Sequence, residues 1–330
     1  MWKVKIKQAV TKQKTRRILS KIADFSVVFS MVLIFFAFSL FNKNFISLQN
    51  IQNILSGAAP LLFMAMGLTF VLITGSIDLS TGAVCSCTCV ITGLYIGDVG
   101  NKIFLFILVI GILAGLLNGM LVTLLKMPAF IVTLCTTSIW QCVALVLSKG
   151  ASKSIPIDSW HVIEWAKIKI FGIPTLFVVS ALIWLVFVFV EKCTVMGKSI
   201  FAVGANEQAA RMMGLNSNQA RITAFLLSGV GSALAGACYA LRLKSSAPTI
   251  GSNLNLLAVA AVVLGGTWLS GGKGSVLRTL PSVITVIMLQ SALKVVGLDA
   301  YYQEIIFGTI LIIAIYLNSD KSRSKDVIIK

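Results

Sequence analysis

The sequence predicts an all-α integral membrane protein with about ten transmembrane helices. Of its 330 residues, 57% are hydrophobic and only 12% are charged, and the mean hydropathy is +0.94. In soluble domains, charged residues make up roughly a quarter of the chain. Apolar windows of about 17 residues or more, long enough to cross a bilayer, recur along the whole sequence. This composition excludes a soluble domain.

The spans follow from counting these apolar windows in chain order, and several are short enough to be re-entrant. We place them at about 26–42, 54–75, 82–98, 103–125, 129–148, 174–191, 222–241, 255–270, 276–296 and 302–317. Together they form one polytopic domain over residues 26–318.

The distribution of charge predicts the orientation of the chain. Its net charge is +17, and residues 1–25 carry eight Lys/Arg against Asp24 alone. Basic segments stay on the cytoplasmic side and face anionic lipid. We therefore predict cytoplasmic tails at 1–25 and 319–330, contact with the lipid bilayer, and no nucleic-acid partner.

No catalytic or metal-binding constellation is present in the sequence. The seven cysteines are scattered or lie in apolar spans, and His161 is the single histidine. Cys85, Cys87 and Cys89 cannot all share one helical face. There is no phosphate-binding Walker loop and no histidine placed to activate a nucleophile. We predict a protein that is not an enzyme and has no cofactor or metal.

A polar stretch interrupts the second apolar region. It reads ITGSIDLSTGAV at 73–84 and includes Gly75, Asp78 and Ser80. A charge in hydrocarbon costs at least about 3 kcal/mol, and irregular backbone is tolerated at that depth only when it is buried or lines a cavity. Two roles remain open for Asp78. It caps the next helix by accepting from the N–H groups of Ser80 and Thr81, or it belongs to a substrate or ion path.

A second stretch resembles the first. Residues 265–272, GGTWLSGG, align without gaps on 75–82, GSIDLSTG, at an offset of 190. Paired breaks in two hydrophobic regions indicate a transport pathway. Trp268 stands where the first stretch has Asp78. The pathway candidates in the second stretch are Gly265, Gly266, Gly271 and Gly272.

Small residues at a spacing of four indicate close helix packing. They occur at 111, 115 and 119 as glycines, and at 228, 232 and 236 as Ser, Ser and Gly. Such residues share one helical face and let two backbones approach. Asn118 lies beside the first group, so its amide must find a partner at an interface or along a pathway.

Four motifs resemble one family of permeases. They are TGSIDLSTG at 74–82, LNGMLVTLLKMPAFIVTL at 117–134, MGKSIFAVGANEQAARMMGLN at 196–216 and LAVAAVVLGGTWLSGGKGS at 257–275. They are similar to motifs in the ribose-type permeases of bacterial sugar importers of the ATP-binding cassette class, within the branched-chain amino acid/ribose permease superfamily. The match covers most of the chain.

The resemblance implies a type II importer architecture with ten helices in the bacterial inner membrane. It implies three kinds of protein partner: a second permease subunit, identical or different, two cytoplasmic ATPase subunits that hydrolyse ATP, and an extracytoplasmic sugar-binding protein. It also assigns a coupling segment to the cytoplasmic loop 192–221. Its E-x-A-A-x-x-x-G pattern falls on Glu207, Ala209, Ala210 and Gly214.

The chain departs from the family pattern in several places. Ser76 and Thr81 replace glycine and valine; other replacements are Asn255 and Leu257 for acids, and Arg278 and Pro281 for glycines. The solute expected from the resemblance is a monosaccharide such as ribose. Two alternatives are a nucleoside or furanone autoinducer in the same family, and an ion-coupled secondary transporter that uses Asp78.

Overall fold

A computed structural model gives the structure of this chain. It describes residues 28–29, 31–40, 42–297, 299, 301–302, 305–306, 308–309 and 312. Both predicted tails, 1–25 and 319–330, lie outside the described residues. So does most of the predicted span 302–317.

Eleven helices have bounds within the described residues. They are α1 Met31–Leu40, α2 Leu48–Ile73, α3 Thr81–Val99, α4 Ile103–Leu124, α5 Ala129–Ser148, α6 Thr175–Cys193, α7 Val195–Ala205, α8 Glu207–Met212, α9 Ser217–Leu243, α10 Leu254–Leu264 and α11 Val276–Val295. Short 3-10 helices cover Lys43–Ile46, Gly100–Lys102 and Ile157–Lys167.

Two small antiparallel ladders lie in the connections after α5 and α9. Strand β1 Lys153–Ser154 pairs with β4 Ser245–Ser246, and β2 Lys169–Ile170 pairs with β3 Ile173–Pro174. The first ladder ties the long α5–α6 loop to the end of α9. The indole ring of Trp160 in that loop has the ammonium groups of Lys167 and Lys244 over it, at 4.4 and 4.3 Å from the ring centroid.

Within the described part of the chain, six helical segments are long and apolar enough to cross a membrane. One of them, Thr81–Leu124, consists of α3 and α4 and turns at Gly100–Lys102. The predicted multi-pass helical architecture is thus supported. The number of ten spans and the cytoplasmic position of both termini stay predictions.

Two predicted boundaries differ from the structure. The window 255–270 contains only the 11-residue helix α10, because the chain leaves the helix at Gly265. The loop 192–221 is largely helical: it holds α7, α8 and the start of α9. Apolar composition alone could not locate either change, since a glycine-rich break and a short helix keep the same hydropathy as their surroundings.

Helix α9 is the centre of the bundle, and its glycines set how closely the other helices approach. A Cβ added at Gly229 would collide with the backbone of Gly111 and Gly115 on α4. One added at Gly231 would collide with the Phe63 carbonyl on α2, and one at Gly236 with α3. Three helices therefore touch three glycines of α9, as expected for packing that has no hydrophobic driving force in lipid.

The order of these contacts gives the helix directions. Along α4, Gly111 meets Ala233 and Gly119 meets Ile222, so α4 runs opposite to α9. Asp78, just before α3, contacts Ser228, and Cys85 contacts Gly236. Residue numbers therefore increase in the same direction along α3 and α9, so these two helices are parallel. Hence α3 and α4 form a hairpin that straddles α9.

We expect Gly115→Ala to destabilise the fold, because the new Cβ would lie 2.7 Å from the Leu226 Cα and closer still to the Phe225 carbonyl. Overpacking of this kind costs about 1–3 kcal/mol. The measurement is thermal unfolding in detergent. The matched control is Gly308→Ala, a helical glycine where an added Cβ meets no described residue within 4 Å. An equal effect of both substitutions would contradict the packing of α4 on α9.

Candidate functional site

The polar stretch between α2 and Ser80, residues 74–79, is called the first break, and a glycine at its start closes the end of α2. Gly75 has φ +78°, and its N–H donates to the Leu72 carbonyl at 2.9 Å, while Ser76 N–H donates to the Val71 carbonyl at 3.3 Å. This pair of bonds is the Schellman motif, in which glycine takes up the left-handed conformation. The carbonyls at the end of α2 are thereby satisfied without water.

Asp78 lies at the centre of the first break and is 2% exposed. Its Oδ1 accepts from Ser80 N at 2.9 Å and from Ser80 Oγ at 2.6 Å. Its Oδ2 accepts from Ser228 Oγ on α9 at 2.7 Å. The sequence assigns two N–H donors to this carboxylate. The Ser80 N–H does donate to it, whereas no bond from Thr81 N is present among the described residues.

Two neighbouring amides extend this network to other helices. Asn118 Nδ2, on α4, donates to Ser80 Oγ at 2.8 Å. Asn255, on α10, donates from Nδ2 to the Leu79 carbonyl at 3.0 Å and accepts from Thr81 Oγ1 at 2.8 Å. The first break is therefore tied to α4, α9 and α10 by side chains. Asn118 Oδ1 is buried and has no partner among the described residues.

The second break is the segment between α10 and α11, residues 265–275. It repeats the geometry of the first break, but one residue later than the sequence alignment predicts. Gly266 has φ +78°; its N–H donates to the Val263 carbonyl at 2.8 Å, and Thr267 N–H donates to the Val262 carbonyl at 3.2 Å. Gly266 is thus the counterpart of Gly75, at an offset of 191. Gly265 is the last residue before this turn and has φ −66°.

The predicted gapless repeat therefore holds only approximately. The first break spans six residues between α2 and Ser80, whereas the second continues to Ser275, and α11 begins at Val276. Gly271 and Gly272, which also have positive φ, lie in this longer segment. Arg278, in the first turn of α11, packs its guanidinium beside Gly266.

The two breaks touch each other. Gly272 N donates to the Ile73 carbonyl at 2.8 Å, and a Cβ added at Gly271 would lie 2.7 Å from Gly75 N. This is a backbone contact between segments about 190 residues apart in the sequence. The Ile73 carbonyl, freed where α2 ends, is satisfied by the second break.

The end of α7 enters the same contact. A Cβ added at Gly204 would collide with the Ile73 carbonyl and lie 2.8 Å from Gly272 N, and one added at Gly272 would lie 2.7 Å from the Ala205 Cα. We call the set Ile73, Gly75, Gly204, Gly271 and Gly272 the break junction. The atoms that a side chain at 204 would meet belong to the backbone and cannot move aside as a flexible side chain can, so only glycine permits this approach.

Helix α8 follows α7 directly and carries the predicted coupling residues. Asn206 Oδ1 accepts from Ala209 N at 3.1 Å and caps its start. Gly214, with φ +82°, closes its end with the same two-bond pattern seen at the breaks: Gly214 N to the Arg211 carbonyl and Leu215 N to the Ala210 carbonyl. Both ends of α8 are therefore set by local sequence.

Glu207 fixes α8 to α9. Its carboxylate accepts from Arg211 Nη2 at 2.7 Å and from Arg221 Nη2 at 2.6 Å. Partial burial works to raise the pKa of Glu207, but the Arg221 charge and hydrogen bonds from Ser217 and Arg211 outweigh it, so the pKa is lowered. A lowered carboxyl pKa means that the ion pair is fully formed above the ordinary Glu value and is lost only as the pH falls through the lowered pKa.

The two alanines of the predicted coupling pattern lie on different sides of α8. Ala209 is exposed, but Ala210 is fully buried against its own chain. The close contact at Ala210 is thus made by this chain itself. Met212 and Met213 are 89% and 70% exposed, and flexible methionines are typical of protein-binding surfaces. The sequence shows this Met-Met pair, but nothing in it tells which side of α8 faces outward.

Other candidate groups lie apart from this arrangement. His161 is exposed in the α5–α6 loop, where Nδ1 contacts the Asp158 carbonyl at 2.7 Å. Cys85, Cys87 and Cys89 are buried in α3. In the described part of the chain, no group of three His, Cys, Asp or Glu could hold a metal ion. The site consists of the two hydrogen-bonded breaks and the end of α7 that packs against them.

Comparisons with known proteins agree on one family. The model of the branched-chain amino acid transport system / permease component family matches residues 50–315. The ribose import permease protein RbsC of Bacillus subtilis is 33% identical, over 97% of this chain and 100% of its own. RbsC of Haemophilus influenzae is 34% identical, over 88% and 93%.

A third relative has a different named solute. The autoinducer 2 import system permease protein LsrC of Yersinia pseudotuberculosis is 30% identical, over 87% of this chain and 82% of its own. No solved structure matches the chain.

We expect Asp78→Leu to reduce the yield of folded protein severely, because Ser80 N–H and two serine hydroxyls would lose their buried acceptor. Asp78→Asn keeps an acceptor at Oδ1 and should be milder. The measurement is the monodisperse fraction after purification, with the exposed acid Asp98→Leu as control. A well-folded Asp78→Leu protein that fails to transport would favour the pathway role over the capping role.

Proposed function

The chain belongs to the family of branched-chain amino acid transport system permease components, and from this premise we propose that it is the permease subunit of an ATP-driven importer for a monosaccharide, ribose or a similar sugar. It is a multi-pass protein of the bacterial inner membrane. In this proposal the chain supplies the route across the membrane. ATP hydrolysis belongs to separate ATPase subunits, and solute is delivered by an extracytoplasmic binding protein.

The break junction is the observation that carries the proposal. A transporter driven by a separate ATPase needs a mechanical connection between the docking segment and the pathway. In this chain the predicted docking helix α8 is one residue from the end of α7, and that end packs against both breaks. A shift of α8 would therefore displace Ile73 and Gly272 at once.

The Asp78 network would carry such a shift into the rest of the bundle. Because Asp78 is bonded to Ser228 and Ser80 to Asn118, a displaced first break pulls on α9 and α4 together. Packed helices move as rigid bodies more easily than they deform. ATP-driven movement at α8 would thus open or close the bundle around the breaks.

Support for the solute comes from the relatives' names. Two ribose import permeases match nearly the full chain. The LsrC relative supports one alternative within the same family, import of a furanone autoinducer.

Uptake in a host that lacks ribose import tests the proposal. The chain would be co-expressed with the importer ATPase and sugar-binding protein of its own organism, and entry of radiolabelled D-ribose and of autoinducer 2 would be followed. We expect uptake that stops when the ATPase is inactivated. Uptake that persists without the ATPase and follows an ion gradient would refute the proposal.

We expect Glu207→Arg to abolish co-purification with the ATPase, because three cations would meet where an ion-pair network now holds α8 on α9. Arg221→Glu should do the same. The double charge swap restores opposite charges and should recover binding, with co-purification and uptake as measurements. Failure of the swap to recover either would show that Glu207 acts by direct contact with a partner and not by positioning α8.

Gly204→Ala should lower uptake at least about tenfold, the effect of roughly 1.4 kcal/mol, while leaving insertion and ATPase binding intact. The added Cβ would force the end of α7 away from Ile73 and Gly272. Lys198→Ala, an exposed change on the same helix, is the control. Wild-type uptake in the Gly204 variant would remove the junction from the mechanism.

A further inference from the structure

A polar cavity of about 540 Å³ opens at the end of the bundle opposite α8. It is lined by the first turns of α2, the last turns of α9 and α11, and the start of α10. Its volume is in the range of small-molecule sites. Its polar lining residues are Asn50, Asn53, Tyr239, Arg242, Gln290, Ser291 and Lys294.

Several of these groups are free to bind a solute. Ser291 Oγ donates to Asn50 Oδ1 at 2.7 Å, but the side chains of Asn53, Gln290 and Arg242 make no hydrogen bond to other described residues. No carboxylate among the described residues lies within ion-pair distance of Arg242 or Lys294. Among the described residues, the side chains of Asn53, Gln290 and Arg242 therefore have hydrogen-bonding capacity left for a solute in the cavity.

A second cavity of comparable size has a different lining. It measures about 500 Å³ and is lined almost entirely by apolar side chains such as Phe104, Val179 and Leu234. A solute with many hydroxyl groups would find hardly any hydrogen-bond partner there. The two cavities therefore suit different occupants.

The position of the polar cavity connects it to the breaks. Helix α2 begins at the cavity and ends at the first break, and its 26 residues span roughly 39 Å. Helix α11 runs from the second break back to the cavity. The cavity and the break junction thus lie at opposite ends of the same helices.

We propose that this cavity is a binding site for one monosaccharide-sized, polyhydroxylated solute, occupied before the solute passes toward the breaks. The proposal rests on the function proposed above and adds a solute site within this chain. The planar guanidinium of Arg242 can donate to two neighbouring hydroxyls. Asn53 and Gln290 can each donate and accept, and Ile54 and Leu257 offer apolar surface to the C–H face of a sugar ring.

The balance of polar groups favours a neutral polyol over an anion. Five of the seven polar lining residues carry an uncharged amide or hydroxyl group, and both groups can donate and accept. A hydroxyl needs both kinds of partner, whereas a carboxylate or phosphate accepts only. An anion would use only the donors of the cavity, chiefly Arg242 and Lys294, which makes the two chemistries separable by experiment.

Protection of an introduced cysteine tests the site in the isolated full chain in nanodiscs. The exposed Cys135, Cys142 and Cys193 are replaced by serine, and Leu257→Cys in the cavity wall reports access of a membrane-impermeant thiol reagent. Lys153→Cys, exposed on the α5–α6 loop, is the control reporter. The probes are D-ribose and inorganic phosphate.

We expect D-ribose to slow modification at Leu257→Cys and not at Lys153→Cys. Adding Arg242→Gln should raise the ribose concentration needed by about tenfold without changing the unprotected rate or the melting temperature. Saturation-transfer NMR of D-ribose, strong with the wild-type chain and weak with the Arg242 variant, checks the same site without a cysteine.

Three results would overturn the proposal: no ribose effect by either method, equal slowing at both reporters, or protection by phosphate alone. The assay contains no ATPase. Ribose protection together with failed ATP-driven uptake would therefore contradict the importer function and leave the site standing, and the reverse result would contradict the site alone.

Discussion

The need to satisfy backbone polar groups inside the bundle is the constraint on which the rest of this structure depends. Two helices end within an apolar region, and every carbonyl freed there must find a donor without bulk water. The chain meets this need with Schellman turns at Gly75 and Gly266 and with the Gly272 N–H on the Ile73 carbonyl. Because the second break satisfies the first, neither can move independently of the other.

Close packing around α9 makes this mutual satisfaction possible. Glycines at 229, 231 and 236 bring α4, α2 and α3 to within backbone contact of one central helix. At that distance short side chains such as Ser228 and Asn118 can reach the first break. Asp78 is then held by two serines and one N–H, with no cation on it among the described residues, and its hydrogen bonds act as cross-links between helices.

The sequence predicted those features that local chemistry determines. Asp78 as an acceptor for the Ser80 N–H and the glycines of α4 as a packing face both follow from residue type and spacing. The partners Ser228, Arg221 and Asn255 could not be found, because each lies far along the chain from the group it binds. The sequence alignment, at an offset of 190, matched Gly75 with Gly265, whereas Gly266 is the residue with positive φ. Residue identity cannot show which of two adjacent glycines takes that conformation. The burial of Ala210 could not be predicted, because a six-residue helix has no clear apolar face.

In the proposed mechanism, the coupling segment and both breaks form one mechanical unit. Hydrogen exchange of the assembled transporter, with and without ATP trapped by vanadate, is the measurement that tests this coupling. We expect peptides covering 68–80, 202–215 and 265–275 to change their exchange together, while peptides of α5 do not change. If 202–215 responded to ATP while both break segments stayed constant, the claim would be contradicted.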